Sequence, residues 1–212
     1  MSIEISNVSK VIKGRTVLQD INIHLEQGKV YGFVGHNGSG KSMLFRIICG
    51  LVKPSTGTVK LFEYELHKDI SFPKSASVIF EKPGFLEHYS GFLNLKFLAA
   101  IKKQINDDDV KAAIERVGLD PTDPRAVKTY SLGMKQKLAI AQSIMEKPEI
   151  ILLDEPMNGL DEDSVQKVYN IIKAEKQRGA TILLTSHNKI DIESLCDRVY
   201  MLHKGVLTEK TI

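Results

Sequence analysis

Apolar residues recur at every second position near the start of the chain. The period is clear at Ile21, Ile23 and Leu25, and it is also present in residues 2–6. Because successive side chains of a strand point to opposite faces, this spacing predicts strands at residues 2–6 and 17–26 with one buried and one solvated face. Strands of this kind are typical of antiparallel sheets, so we expect an antiparallel layer here.

Unbroken apolar runs mark the second half of the chain. Residues 150–153 read IILL and residues 180–185 read ATILLT, which predicts parallel strands buried on both faces. A helix is expected between them at residues 161–178. Two short strand patterns at residues 198–202 and 206–208 flank a His-Lys-Gly turn, which indicates a hairpin at a sheet edge.

Helical periodicity dominates the middle of the chain, and short strand patterns precede it. The further elements expected are strands at residues 29–34, 58–62 and 76–80 and helices at residues 43–49, 92–103, 110–117 and 131–145. The predicted architecture is α/β, a mixed sheet with an antiparallel part and an inserted helical lobe. We expect a single domain in which residues 1–80 and 146–212 form the core and residues 81–145 form the lobe.

Composition and charge narrow the function classes. The 212 residues are 42% apolar and 26% charged, as in ordinary globular domains. The net charge of +3 is too small to indicate nucleic acid, so no such partner is expected. Cys49 and Cys196 lie in apolar contexts without a CxxC pattern and are expected to be reduced core residues of a cytosolic protein. With no signal peptide and no apolar run of about 18 residues, we expect any membrane span to come from another chain.

A glycine-rich loop between a predicted strand and a predicted helix carries the clearest chemistry. Its residues follow the G-x-x-x-x-G-K-[ST] spacing of phosphate-binding loops: Gly35, His36, Asn37, Gly38, Ser39, Gly40, Lys41 and Ser42. We predict that its N–H groups surround a phosphate chain, with Lys41 on the β- and γ-phosphates and Ser42 on Mg²⁺. Met43 opens a helix whose N-terminal dipole would face the anion. The alternative is a Gly/Ser turn that matches by chance, which the flanking strand and helix disfavour.

Two carboxylates follow the predicted strand at residues 150–153. Asp154 can hold Mg²⁺, usually through water, and Glu155 can polarise a water for attack on a γ-phosphate. Alone, this pattern fits equally well a buried strand that ends in surface acids. Together with the phosphate loop, it predicts a site for ATP and Mg²⁺.

With its remaining motifs, the chain resembles the ATP-binding subunits of ABC transporters over nearly its full length. Residues 130–136 (YSLGMKQ) resemble the family signature, and residues 157–161 (MNGLD) resemble the D-loop. His187 lies where the family has its switch histidine, and Glu81 lies where it has the Q-loop glutamine. The resemblance implies the P-loop NTPase fold of ABC ATPases and ATP hydrolysis, with Glu155 as base, His187 as γ-phosphate sensor and Glu81 near Mg²⁺.

The resemblance also implies partners. Family members pair head to tail, so that each ATP lies between one chain's phosphate loop and the other chain's signature, here Ser131 and Gly133. Ser131 is the predicted N-cap of a helix that would face the partner's γ-phosphate. We therefore expect a homodimer or a pseudo-symmetric pair of ATPase subunits, bound to a transmembrane permease at the inner face of the cell membrane. The alternatives are a lone helix cap for Ser131 and a structural role for His187.

Four positions depart from the common family pattern. Ile12 stands where many relatives place an aromatic ring on adenine, and Leu132 and Met134 replace the first glycine and the glutamine of the signature. Glu81 replaces glutamine and adds negative charge near Mg²⁺. The signature together with Glu81 resembles the bacterial ABC-2 branch that includes bacitracin- and lantibiotic-type exporters, so we expect export.

The loop at residues 83–92 is a candidate partner surface. It carries Phe85, Leu86, Tyr89 and Phe92, which we expect to receive a cytoplasmic helix of the membrane subunit, with Glu81 linking that groove to Mg²⁺. A locally packed loop is the alternative.

Two other function classes fit the same motifs. One is a soluble ABC-type ATPase that drives assembly or remodelling without a membrane partner. The other is a non-hydrolysing, nucleotide-gated binding module, which Glu155 and His187 disfavour. Co-purification of a hydrophobic chain would separate the transporter from the first of these.

Overall fold

Two sheets and a set of helices make up the chain. The computed structural model describes residues 2–80 and 84–210. Its strands are β1 (Ser2–Ile12), β2 (Arg15–Glu26), β3 (Val30–Val34), β4 (Thr56–Leu61), β5 (Tyr64–Glu65), β6 (Ala76–Ile79), β7 (Ile150–Asp154), β8 (Thr181–Thr185), β9 (Arg198–His203) and β10 (Val206–Lys210). Its helices are α1 (Lys41–Ile48), α2 (Gly91–Lys102), α3 (Asp107–Arg116), α4 (Leu132–Ile144), α5 (Glu162–Gln177) and α6 (Lys189–Leu195), with a 3-10 turn at Val127–Thr129. Every element expected from the sequence is present.

Alternating burial shapes the smaller sheet, whose strand order is β2-β1-β4-β5. Its pairings are all antiparallel, as predicted, and Ile5 lies opposite Ile23 with both side chains buried. The strand β1 continues to Ile12, beyond its predicted end. Its register shifts after Ile5, and Asn7 has a positive φ of 52°, so the alternation of buried and exposed residues is interrupted there. A bulge of this kind interrupts the two-residue period without ending the strand.

The larger sheet has the order β10-β9-β3-β8-β7-β6. All its pairings are parallel except the β9–β10 hairpin, which lies at the edge as predicted. The strands β7 and β8 are buried along their whole length, as their apolar runs indicated. Because β3, β8 and β7 are adjacent and parallel, their carboxyl ends meet at one edge, where Thr185 lies opposite both Phe33 and Asp154.

Two apolar cores lie on either side of the larger sheet. One fills the space between the two sheets and α1, where the rings of Phe33 and Phe45 meet edge to face with centroids 5.5 Å apart. The other joins the opposite face of the sheet to α2–α5. The mixed α/β fold with its antiparallel layer is therefore confirmed.

Three helices of the predicted lobe pack on one another, α2 on α3 and α3 on α4. Polar caps set their ends: Asn106 and Asp109 form a reciprocal capping box on α3, and the Ser131 hydroxyl accepts a hydrogen bond from Met134 N–H at the start of α4. The predicted N-cap role of Ser131 is thus confirmed. The sequence patterns missed β5 and α6, which are too short to show a period.

Candidate functional site

The loop after β3 is shaped by its glycines. Gly35 has a φ of 151° and Gly40 a φ of 114°, a region that other residues rarely enter. A Cβ atom at Gly35 would collide with the carbonyl oxygen of Leu202, and one at Gly40 would lie 2.8 Å from Cδ2 of Leu18. The loop therefore lies tightly against β2 and β9, and its curvature depends on glycine.

The loop leads directly into α1, whose N-terminus is left open. Within the described residues, no side chain caps this helix at Gly40, so its first N–H groups stay available to a ligand. Lys41 is only 7% exposed, and its ammonium group donates to the carbonyl oxygens of Gly35 (2.6 Å) and His36 (3.4 Å). A buried cation whose acceptors are neutral, beside free helix N–H groups, favours an anionic ligand such as phosphate.

A buried carboxylate connects this loop to the neighbouring strands. Asp154, at the end of β7, accepts a hydrogen bond from the Ser42 hydroxyl at 2.8 Å and another from the Thr185 hydroxyl at 2.7 Å. Thr185 in turn accepts from the backbone N–H of Glu155 at 2.9 Å. The ends of β7 and β8 and the start of α1 are thereby held together around one carboxylate.

The same carboxylate suits a magnesium site. The Ser42 hydroxyl and the Asp154 carboxylate are hard oxygen ligands in direct contact, the type that Mg²⁺ prefers. Ser42 ends the phosphate-binding loop and Asp154 lies against it, so these two residues would hold a metal ion next to bound phosphates. Glu81, the third predicted metal-site residue, lies outside the described residues.

Glu155 has an unusual backbone and an unusual environment. Its φ is +53°, which costs on the order of 1 kcal/mol for a residue other than glycine. In the described part of the chain, its Oε1 atom is buried and accepts no hydrogen bond, since the Nε2 atom of His187, 3.3 Å away, lacks hydrogen-bond geometry toward it. Burial raises the pKa of the Glu155 carboxyl, against the opposing charges of His187 and Lys41. A carboxyl held this way is a better proton acceptor near neutral pH than one in water.

His187, in the loop after β8, faces both the phosphate loop and Glu155. Its Nε2 atom lies 3.0 Å from Oδ1 of Asn37 in the phosphate loop and 3.3 Å from Oε1 of Glu155. The imidazole is about half exposed, so a ligand can reach it. The structure thus brings Lys41, Ser42, Asp154, Glu155 and His187 to one edge of the sheet.

The comparison with protein families agrees with this geometry. The model of the ABC transporter family matches residues 18–158, a stretch that includes the phosphate loop, Asp154 and Glu155. The chain belongs to the ABC transporter family. It is an ATP-binding subunit of an ABC transporter and an ATP hydrolase of the ABC type.

Individual proteins of the same family resemble this chain over nearly its full length. The uncharacterized ABC transporter ATP-binding protein YybJ of Bacillus subtilis is 50% identical over 99% of this chain and 97% of its own length. The bacitracin transport ATP-binding protein BcrA of Enterococcus faecalis is 37% identical over 98% of this chain and 68% of its own length. The lantibiotic transport ATP-binding protein SrtF of Streptococcus pyogenes is 35% identical, covering 98% of this chain and 90% of its own.

Solved structures share the whole fold. An ATP-binding subunit of an ABC transporter superimposes with a TM-score of 0.90 at 26% identity, over 100% of this chain and 90% of the other. A bacterial ABC transporter cassette, solved as a dimer, gives 0.89 at 23% identity over 99% and 98% of the two chains. Across residues 2–80 and 84–210 of our ABC subunit, no helix has the length and apolarity of a membrane span.

The segment of this ABC subunit that resembles the signature packs against the segment of the same chain that resembles the D-loop. A Cβ atom on Gly133 would lie 2.9 Å from the carbonyl oxygen of Gly159, and the buried Gln136 amide donates to the carbonyl oxygen of Pro156 at 3.0 Å. Leu132, in contrast, is 69% exposed. Sequence reasoning placed Gln136 in the signature-like segment and Thr185 in the apolar run at residues 180–185, but it gave neither a hydrogen-bonding role, because their partners are brought near only by the fold.

Ile12 lies close to the phosphate loop, at the predicted position. It lines a cleft of about 790 Å³ together with Val17, Asn37 and Gly38. Ile12 and Val17 therefore give this cleft an aliphatic stretch of wall next to the phosphate loop.

The raised pKa of Glu155 predicts a pH-dependent gain in stability on substitution. Because the folded chain holds this proton more tightly than the unfolded chain, ionisation at neutral pH opposes folding, and the stability contribution present below the ordinary value of 4.5 is lost as the pH rises through the raised pKa. Glu155→Gln should therefore melt at a higher temperature than the wild type at pH 7.5, with the difference shrinking as the pH falls toward 4.5. For a domain of this size, about 1 kcal/mol corresponds to about 2–4 °C.

Thermal melts at several pH values, read by circular dichroism, measure this difference. Glu63→Gln is the matched control, because that carboxylate lies exposed in a turn and should give no pH-dependent gain. Equal melting temperatures of Glu155→Gln and wild type at pH 7.5 would contradict the desolvation of Glu155.

Proposed function

We propose that this chain hydrolyses Mg²⁺-ATP to power export through a separate membrane-spanning permease, to which it binds at the inner face of the membrane. The observation that carries the hydrolytic part is the convergence of Lys41, Ser42, Asp154, Glu155 and His187 at one sheet edge. Transport is supported by the relatives whose names assign them to bacitracin and lantibiotic transport, and the export direction follows the resemblance of the signature and Glu81 to that branch.

Each residue has a chemical task in this proposal. Lys41 and the open N–H groups of α1 bind the phosphates, and Ser42 and Asp154 would hold Mg²⁺, which would supply positive charge against the phosphates. Glu155 takes a proton from the attacking water, whose oxygen bonds to the γ-phosphorus as the bond to the bridging oxygen breaks, giving ADP and phosphate. His187 contacts the γ-phosphate. Glu81 remains a proposed neighbour of the metal.

We propose a head-to-tail pair in the ATP-bound state. The N-terminus of α4, with Ser131 and Gly133, would complete the partner's site by directing N–H groups at its γ-phosphate. The exposure of Leu132 fits an interface at this place, and a similar cassette has been solved as a dimer. Residues 81–145 would act as the lobe that carries this surface.

The loop before α2 is the proposed docking surface for the permease. The Asn94 side chain, itself buried, holds it from below by accepting from Leu86 N–H at 2.7 Å and donating to the carbonyl oxygens of Leu86 and Ser90. Leu86 and Tyr89 are 53% and 45% exposed on this rigid support. Phe85 and Phe92 were expected to share their role, but both pack against the core, and Phe92 lies within α2, so the surface is smaller than the sequence suggested.

Lys41→Ala should lower the affinity for ATP about 10- to 100-fold, because a hydrogen bond to a charged group is worth about 1.5–3 kcal/mol. Titration of a fluorescent ATP analogue measures the effect, with the exposed Lys68→Ala as control. An unchanged affinity for ATP would contradict the assignment of residues 35–42 as the phosphate-binding loop.

Glu155→Gln should keep ATP binding but lower kcat about 10²-fold or more, because the base is lost. The unhydrolysed ATP should then hold two 23.7 kDa chains together, which light scattering with ATP and Mg²⁺ would detect. Glu63→Gln should behave as wild type. Hydrolysis at the wild-type rate contradicts the base role, whereas an inactive variant that stays monomeric even with the permease present counts against the pair.

Replacing Leu86 and Tyr89 together with serine should abolish co-purification with the permease and spare basal ATP hydrolysis. Phe72→Ser, a change at another exposed apolar residue, is the matched control and should retain the permease. A double variant that still binds the permease would show that docking occurs elsewhere. If a preparation purified from membranes never yields a hydrophobic chain, an ATPase without a membrane partner is favoured.

A further inference from the structure

Three consecutive residues at the end of β8 are anchored to three different parts of the molecule. The Thr185 hydroxyl donates to Asp154 on β7, and His187 faces Asn37 and Glu155. Ser186, between them, donates through its hydroxyl to Oδ2 of Asp191 on α6 at 2.5 Å. The direction of the His187 side chain therefore depends on how its two predecessors are held.

Asp191 is a buried carboxylate that the hydrolytic chemistry does not use. It is 2% exposed, and its other oxygen, Oδ1, accepts a hydrogen bond from the Tyr169 hydroxyl on α5 at 2.5 Å. Burial, together with the Asp191 carboxylate, raises the pKa of Tyr169, so this phenol remains a donor. A carboxylate that is taken out of water needs such donors, and removal of one leaves a costly unmet acceptor.

The Ser186 hydroxyl is the last member of a hydrogen-bonded bridge that runs from Tyr169 through Asp191 to Ser186. Besides donating to Asp191, it accepts a hydrogen bond from Asn188 N–H at 3.0 Å, so the backbone on both sides of His187 is tied to one hydroxyl. Tyr169, Asp191 and Ser186 are all buried, and they lie at the wall of a cleft of about 770 Å³ that separates the D-loop from the loop of His187. The chain of hydrogen bonds crosses from α5 to this loop beneath the cleft.

The position of α5 gives the bridge a second consequence. This helix starts directly after the D-loop, and its N-cap is Asp161, whose carboxylate accepts from Ser164 N–H at 2.8 Å. Tyr169 lies two turns into the same helix. A bond from Tyr169 to the loop of His187 therefore joins that loop to the helix that carries the D-loop.

We propose that the Tyr169–Asp191–Ser186 bridge positions the imidazole of His187 and makes the His187 loop and the D-loop helix one mechanical unit. The inference rests on the proposed role of His187 at the γ-phosphate. Tyr169, Asp191 and Ser186 are positioning residues, since each acts through the loop rather than on the nucleotide. They link the sensor of one site to the D-loop, which packs against the signature segment proposed to serve the other chain's site.

A mutant cycle with His187 tests the bridge. Tyr169→Phe removes one hydroxyl and keeps the buried ring, and should lower kcat about 10-fold with the KM for ATP within about 2-fold, since a shift of about 1 Å in a catalytic group can cost up to about 10²-fold. In a His187→Ala background, the same change should lower the single-turnover rate less than about 2-fold, because the group that it positions is gone. Tyr64→Phe, on the exposed strand β5, is the matched control and should have no effect in either background.

A spectroscopic readout separates positioning from general damage. The imidazole nitrogen resonances of His187 should shift in Tyr169→Phe and in Ser186→Ala, but not in Tyr64→Phe. If Tyr169→Phe fails to fold, Ser186→Ala carries the test alone. Equal losses of rate in both His187 backgrounds, or unmoved His187 resonances, would overturn the proposal. If His187→Ala hydrolyses ATP at the wild-type rate while the resonances still shift, the bridge stands and the sensor role of His187 is what fails.

Discussion

The candidate site depends on one buried carboxylate. Asp154 accepts hydrogen bonds from Ser42 and Thr185, and so fixes the distances among the phosphate loop, β7 and β8. Without those two donors, a charge at this depth would be strongly unfavourable. The two hydroxyls stabilise the Asp154 carboxylate, and Asp154 in turn holds Ser42 at the proposed metal site. Thr185 also accepts a hydrogen bond from the backbone N–H of Glu155, which helps to hold Glu155 in its left-handed conformation.

The strained backbone of Glu155 thus lies between hydrogen bonds that hold it in place. The positive φ of Glu155 persists because the backbone is held on both sides, by Thr185 before it and by the Gln136 amide on Pro156 after it. The Gln136 bond matters for a second reason. It comes from the signature helix, so the helix proposed to serve the partner's nucleotide also supports the base of its own.

Much of this arrangement could be predicted from the sequence, for identifiable reasons. The two-residue period and the unbroken apolar runs report burial directly, and the glycine spacing of the phosphate loop reports a backbone shape that few other residues allow. Asp191 and Gln136 could not be found this way, because each bonds to a partner brought near only by the fold. Phe85 and Leu86 are adjacent in the same apolar loop, yet one packs inward and the other faces water, a distinction set by the anchoring of the loop on Asn94.

The strand order has a consequence for how the chain is made. The strand that precedes the phosphate loop pairs with β8 and β9, with Val30 opposite Ile182 and Tyr31 opposite Arg198. During synthesis, β3 therefore waits for these neighbours until β8 and β9 have left the ribosome, whereas the β1–β2 hairpin can form at once. In that interval Phe33 can pack on Phe45 of α1, but the hydrogen-bonding edges of β3 have no strand to pair with. The nucleotide site can therefore form only after β8, which ends in Thr185 and leads into His187, has paired with β3 and β7.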